Sequence, residues 1–167
     1  MNTDDIIDKF VAKLQSCGIE IKAIGSAPWV DQFASKLPKR LPLSFESLIK
    51  RYSFPVLELG NIVLYSNFGD SSYDDLSTAI FRDKAIYETT IKSGFIPFAR
   101  PGNSSYDPVC FDVRTTPKMR EYAIVRLDHE QILIHNQIKI INRISESFSE
   151  FAKNYIERPT KRFTGSA

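Results

Sequence analysis

The sequence predicts an α+β fold, a mainly antiparallel β-sheet with flanking helices. Three observations carry that expectation. Apolar residues recur at helical spacing toward both ends of the chain, while most of the middle changes to the period of two that marks strands. The strand-like runs follow one another across short loops, which favours antiparallel pairing. Helices and strands are segregated, unlike the βαβ alternation of a parallel sheet.

Taken in order, the first helix has Thr3 as a cap, Asp4 and Asp5 at its positive end and Gly18 as a stop. Ile6, Ile7, Phe10, Val11 and Leu14 share one face. A second helix takes Pro28 in its first turn and buries Trp29, Val30 and Phe33. A third follows Pro42, with Phe45, Leu48, Ile49 and Tyr52 inward. PVLEL and NIVLYS flank Gly60-Asn61 and read as a hairpin. Asp74 to Ser93 reads as one helix, with Leu76, Ile80 and Phe81 inward and Gly94 as its stop. FIPFA, PVCFDV, EYAIVRL and QILIH read as strands, with QIKII continuing the last. A closing helix runs from about Ser145 to Glu157: Ser147 and Glu150 form a capping box, and Pro159 ends it. The expected organisation is one domain over 1–158, with N-terminal helices spanning 3–37 and a flexible tail over 159–167.

With 167 residues, 43% hydrophobic and 25% charged, the chain has the length and composition of one globular domain. Its net charge is +2. Residues 152–167 hold four bases and one acid, so the remaining 18 bases and 19 acids leave the rest at −1. A nucleic-acid binder needs a strongly basic face, so direct nucleic-acid binding is not expected. No apolar stretch approaches the ~20 residues of a membrane span, and the start, MNTDDIIDKF, is acidic where a signal peptide is basic. Cys17 and Cys110 lie far apart without a CxxC and read as buried thiols. Together these point to the cytoplasm.

Signatures of catalysis are sparse. The only histidines, His129 and His135, fall on one face if QILIH is a strand, with Asp128 or Glu130 as neighbours. Edge decoration explains them better than a metal. There is no GxSxG elbow and no phosphate loop. Asp107 and Asp112 are expected to make a turn and to cap a strand end. No catalytic residue, metal or cofactor is expected.

Two loops suit recognition of another protein. Tyr52 to Phe81 contains no Lys or Arg, and its NFGDSSYDDL is an acidic loop carrying Phe68 and Tyr73. Asp70, Tyr73 and Asp75 are its candidate partner-binding residues, with helix capping the competing role for Asp74 and Asp75. The second loop, Arg100 to Asp107, is enclosed by two apolar strands and offers Arg100, Asn103, Tyr106 and Asp107.

LPLSFESLIKRYSFP (41–55), ELGNIVLY (58–65), FIPFARPGNSSYDPVCFD (95–112), YAIVRLDHEQIL (122–133) and SFSEFA (147–152) together resemble the SUKH superfamily, whose founding members include the yeast Smi/Knr cell-wall regulators. The blocks occur in family order over about 40–155 and leave the N-terminal helices uncovered. The resemblance implies an α+β domain with a mainly antiparallel sheet and no catalytic residues. Arg100, Gly102, Asn103, Tyr106 and Asp107 match a recurring variant of its loop. Bacterial members typically neutralise polymorphic toxins, often nucleases, whereas fungal members are scaffolds in cell-wall signalling and glucan-synthesis regulation. A nuclease inhibitor would suit a strongly acidic surface, so the +2 charge implies a local acidic patch or a toxin of another kind. The leading expectation is an immunity protein whose partner is a toxin domain. An intracellular adaptor comes second, and a small hydrolase around Asp107, Asp112 and His129 third.

Overall fold

The computed structural model describes residues 1–115, 117 and 119–159; the expected tail lies, apart from Pro159, outside the described residues. In chain order the elements are α1 (Thr3–Ser16), β1 (Lys22–Ala23), α2 (Pro28–Ser35), α3 (Leu43–Arg51), β2 (Tyr52–Ser53), β3 (Leu57–Leu59), β4 (Ile62–Leu64), α4 (Leu76–Phe81), α5 (Lys84–Lys92), β5 (Phe95–Pro101), β6 (Val109–Asp112), β7 (Ile124–Leu127), α6 (His129–His135), β8 (Ile140–Ser145) and α7 (Phe148–Glu157). β3 to β8 form one sheet in sequence order, each strand antiparallel to the next. β1 and β2 make a separate antiparallel pair. The α+β expectation holds.

The sheet buries both faces, because its strands carry apolar residues on either side of the pleat. On one face Phe98 and Phe111 stack with ring centroids 3.9 Å apart. Phe45 of α3 and Phe148 of α7 meet that pair at 5.1–6.3 Å, edge-on except for the tilted Phe45–Phe111 contact. All four rings are at most 1% exposed. α1 closes this layer, with Phe10 against Phe148 and Tyr155. On the other face Phe95, Cys110, Val125 and Leu127 pack against Ile132 of α6 and Ile86 of α5.

Pro97 stands in the middle of a central strand, where it cannot donate a ladder hydrogen bond. The register shift between Pro97 and Ala99 absorbs it. Gly60, at φ +71°, makes the β3–β4 turn.

The N-terminal cap is Asn2 rather than Thr3: its side chain accepts from Asp5 N, and Asp5 accepts in return. Asp74–Ser93 is two helices, because Asp83 leaves the helical conformation and caps α5 through Ala85 N and Ile86 N. QILIH lies in a helix, α6, and QIKII belongs to a separate strand, β8. Asp128 caps α6, and Asn136 ends it in the left-handed conformation at φ 50°. Cys110 is buried as expected, but Cys17 is exposed at the end of α1.

Phe148 touches five other rings, so Phe148→Ala should lower stability by about 3–5 kcal/mol. Chemical denaturation checks it. The 8%-exposed Phe151 should cost less on the same substitution.

Candidate functional site: a loop-lined cleft

α4, α5 and α6 leave part of the second sheet face uncovered, and a cleft of about 640 Å³ opens there. Both loops singled out in the sequence reach it. Tyr73 and Asp74 come from the first, Arg100, Ser105 and Tyr106 from the second, and His129 and Leu133 from α6.

The first loop is built on a buried asparagine. Asn67 Oδ1 accepts from Phe54 N at 2.9 Å, and its amide donates to Tyr52 O at 2.7 Å. Asp75, only 2% exposed, caps α4 through Thr78 N and also accepts from Gly69 N at 2.8 Å. Asp70, on the exposed side, accepts from Ser72 N, and the Ser72 contacts hold its carboxyl below the usual range. Tyr73 is 56% exposed. Its ring lies 3.4 Å from the Arg82 guanidinium carbon, and Arg82 Nη1 donates to Tyr73 O at 2.6 Å.

A two-pronged ion pair joins the loops. Arg100 donates from Nε and Nη2 to the two carboxylate oxygens of Asp74 at 3.2 and 2.9 Å. The acidic character of the first loop is therefore partly neutralised by a cation 26 residues away. Asp70 keeps no cationic partner among the described residues.

The second loop is held by Asp107, 5% exposed. Asp107 Oδ1 accepts from His129 N at 3.0 Å and lies 2.6 Å from His129 Nδ1. Oδ2 accepts from Arg126 Nε at 2.7 Å. Burial alone would raise this carboxyl's pKa. The bonds from the His129 ring and backbone, Arg126 and Ser105 outweigh burial and bring it to about 2. Tyr106, next in the chain, is 68% exposed, with its ring edge-on to His129 at 6.1 Å.

Two of the seven expected partner-binding residues need correction. Asp75 and Asp107 are buried, and their oxygens serve a helix cap and an ion-paired knot, so neither offers a carboxylate to a partner. Tyr73, Arg100 and Tyr106 line the cleft; Asp70 and Asn103 are exposed outside its lining. Arg82 and Leu133 were missed. Arg82's signal is a cation just past the acidic stretch; Leu133's, an apolar residue on the outer side of α6, becomes readable only once α6 is a helix.

His129 and His135 stand at opposite ends of α6, because the segment is helical, so they do not form a ligand pair. Asp112 pairs with Arg114 through two bonds and lies at the other end of β6 from Asp107. Among the described residues, Asp107, Asp128 and His129 bring ligand-type atoms within 4.8 Å of one another. Any cation there would compete with the Arg126 guanidinium, 2.5 Å from Asp107.

This fold belongs to a defined class. A family model described as SMI1 / KNR4 family (SUKH-1) matches residues 26–154, and the chain belongs to that family. Its members are generally non-enzymatic binding domains of the immunity or Smi/Knr type. The match takes in α2, which the sequence blocks had left out, and stops short of α1. No curated protein matches the chain. Among the described residues no helix is long and apolar enough to cross a membrane.

The lowered Asp107 pKa has a definite sign. Its carboxylate favours folding above its unfolded pKa of about 4, and that contribution fades as pH falls toward 2. Asp107→Asn should cost about 2 kcal/mol at pH 7, and its stability should converge on the wild type's near pH 2. Denaturation midpoints across that range measure it.

Proposed function

We propose that this protein is an immunity protein that binds and neutralises a polymorphic bacterial toxin in the cytoplasm, without chemistry of its own, and that the toxin domain docks on the loop-lined cleft. One observation carries the reading. Two loops from different parts of the chain are tied by Asp74–Arg100 around one concavity, with Tyr73, Tyr106 and Leu133 exposed at 48–68% on its rim. Tyrosine and arginine are the residue types enriched at binding hot spots, and a preordered surface lowers the entropy cost of association.

The adaptor reading would use the same surface with a different partner. Gene neighbourhood separates the two, since an adjacent secreted protein with a variable C-terminal domain indicates immunity. The hydrolase reading draws on one observation, the 2.6 Å contact between Asp107 and His129. The Arg126 guanidinium on the same carboxylate favours a structural ion pair over an orienting dyad.

Calorimetry with the toxin domain encoded beside this protein is the test. Tyr73→Ala combined with Tyr106→Ala should weaken binding by roughly a hundredfold or more while circular dichroism stays unchanged. Asp70→Lys should chiefly slow association and reduce its salt dependence. An unchanged affinity in the folded double variant would remove the cleft as the interface.

A further inference from the structure

The loop-lined cleft contains a polar group that the fold itself does not use. Along β4 and the residue after it, strand alternation puts Val63 and Tyr65 on the sheet face of Arg100, the register partner of Val63. Tyr65 N donates to Phe98 O at 3.3 Å and so continues the ladder. Tyr65 is only 8% exposed, yet it lines the cleft. No hydrogen bond holds its hydroxyl among the described residues. Burial pushes the phenol above its usual range, so it keeps its proton and remains a donor. A phenylalanine would fill the same space. Packing therefore accounts for the ring and not for the oxygen.

The carboxylates that line the cleft already have roles. Asp74 is taken by Arg100, and Asp83 Oδ1 accepts from Ala85 N and Ile86 N at the start of α5. Arg82 differs. It is fixed by its stack on the Tyr73 ring and its bond to Tyr73 O, but it has no carboxylate partner among the described residues. The Arg82 and Arg100 charges oppose the rise in the Tyr65 pKa, which places both within electrostatic reach of the hydroxyl. The groups left over in the cleft are thus donors, and one of them is a fixed cation.

An open cleft lets water serve such a hydroxyl. A partner that fills the cleft displaces that water, and a donor left bare weakens the complex. An occupant that ends in hydrocarbon is penalised, whereas one that ends in an oxygen acceptor is not. Resting on the reading that the toxin domain docks on this cleft, we propose that Tyr65 is the specificity-determining residue of the cleft: the partner inserts a side chain ending in an oxygen acceptor, which takes the hydrogen bond of the Tyr65 hydroxyl within the field of Arg82. Tyr73 and Tyr106 supply contact area at the rim, and Tyr65 supplies the selection within.

The test compares Tyr65→Phe with the wild type in two measurements on the full chain. Thermal unfolding of the protein alone should give a midpoint equal to the wild type's or higher, because no bond within the fold is lost. Calorimetry with the toxin domain encoded beside this protein should show a Kd raised about tenfold or more. The rim variant, Tyr73→Ala with Tyr106→Ala, separates the two readings. If it weakens binding while Tyr65→Phe does not, the cleft stands as the docking surface and the role of the Tyr65 hydroxyl is overturned. If neither variant weakens binding, or the wild type does not bind, the docking reading falls and this one with it. A lower unfolding midpoint in Tyr65→Phe, matching its loss of affinity, would make the hydroxyl a structural group and overturn the proposal as well.

Discussion

The Asp107 carboxylate is the constraint on which the loop-lined cleft depends. It is almost fully buried, and a charge in that position is tolerated only when other groups replace its water. Arg126 of β7 does so on one oxygen, and the start of α6 on the other. The arrangement ties the loop after β5 to strand β7 and to the start of α6, about twenty residues further along the chain. Tyr106 is presented to solvent because the next residue is fixed.

Around that point the fold is an apolar sandwich with unequal covers. The face that carries Phe98 and Phe111 is covered by α1, α3 and α7, which enclose its aromatic cluster. The opposite face has shorter helices and a smaller cluster, so a cleft remains where the covering stops. The edge strand β8 shifts register twice against β7. Such irregular, partly charged edges resist pairing with another strand.

Much of this architecture was readable from local signals. Gly60-Asn61 between two alternating runs specified the hairpin, and the Phe148–Ile156 stripe behind Ser147 specified α7. The errors arose where local signals conflicted. ILI in α6 reads as a strand by apolarity, yet Asp128 before it and Asn136 after it are helix boundary residues. Asp83 looked like one more polar position in a long helix, although its side chain caps a second one. The site was less legible than the fold. That Asp74 would meet Arg100, or Asp107 His129, depends on strand register and a helix placement that no local pattern contains. The two apolar strands around it located the second loop, but burial decided which of its residues face outward.

The most direct measurement of the proposed docking is hydrogen exchange on the protein alone and mixed with the toxin domain proposed as its partner. A partner seated in the cleft predicts slowed exchange in residues 66–75 and 101–108 and in α6, with α1 and α3 unaffected. Protection confined to β8 and α7, with both loops exchanging as in the free protein, would contradict it.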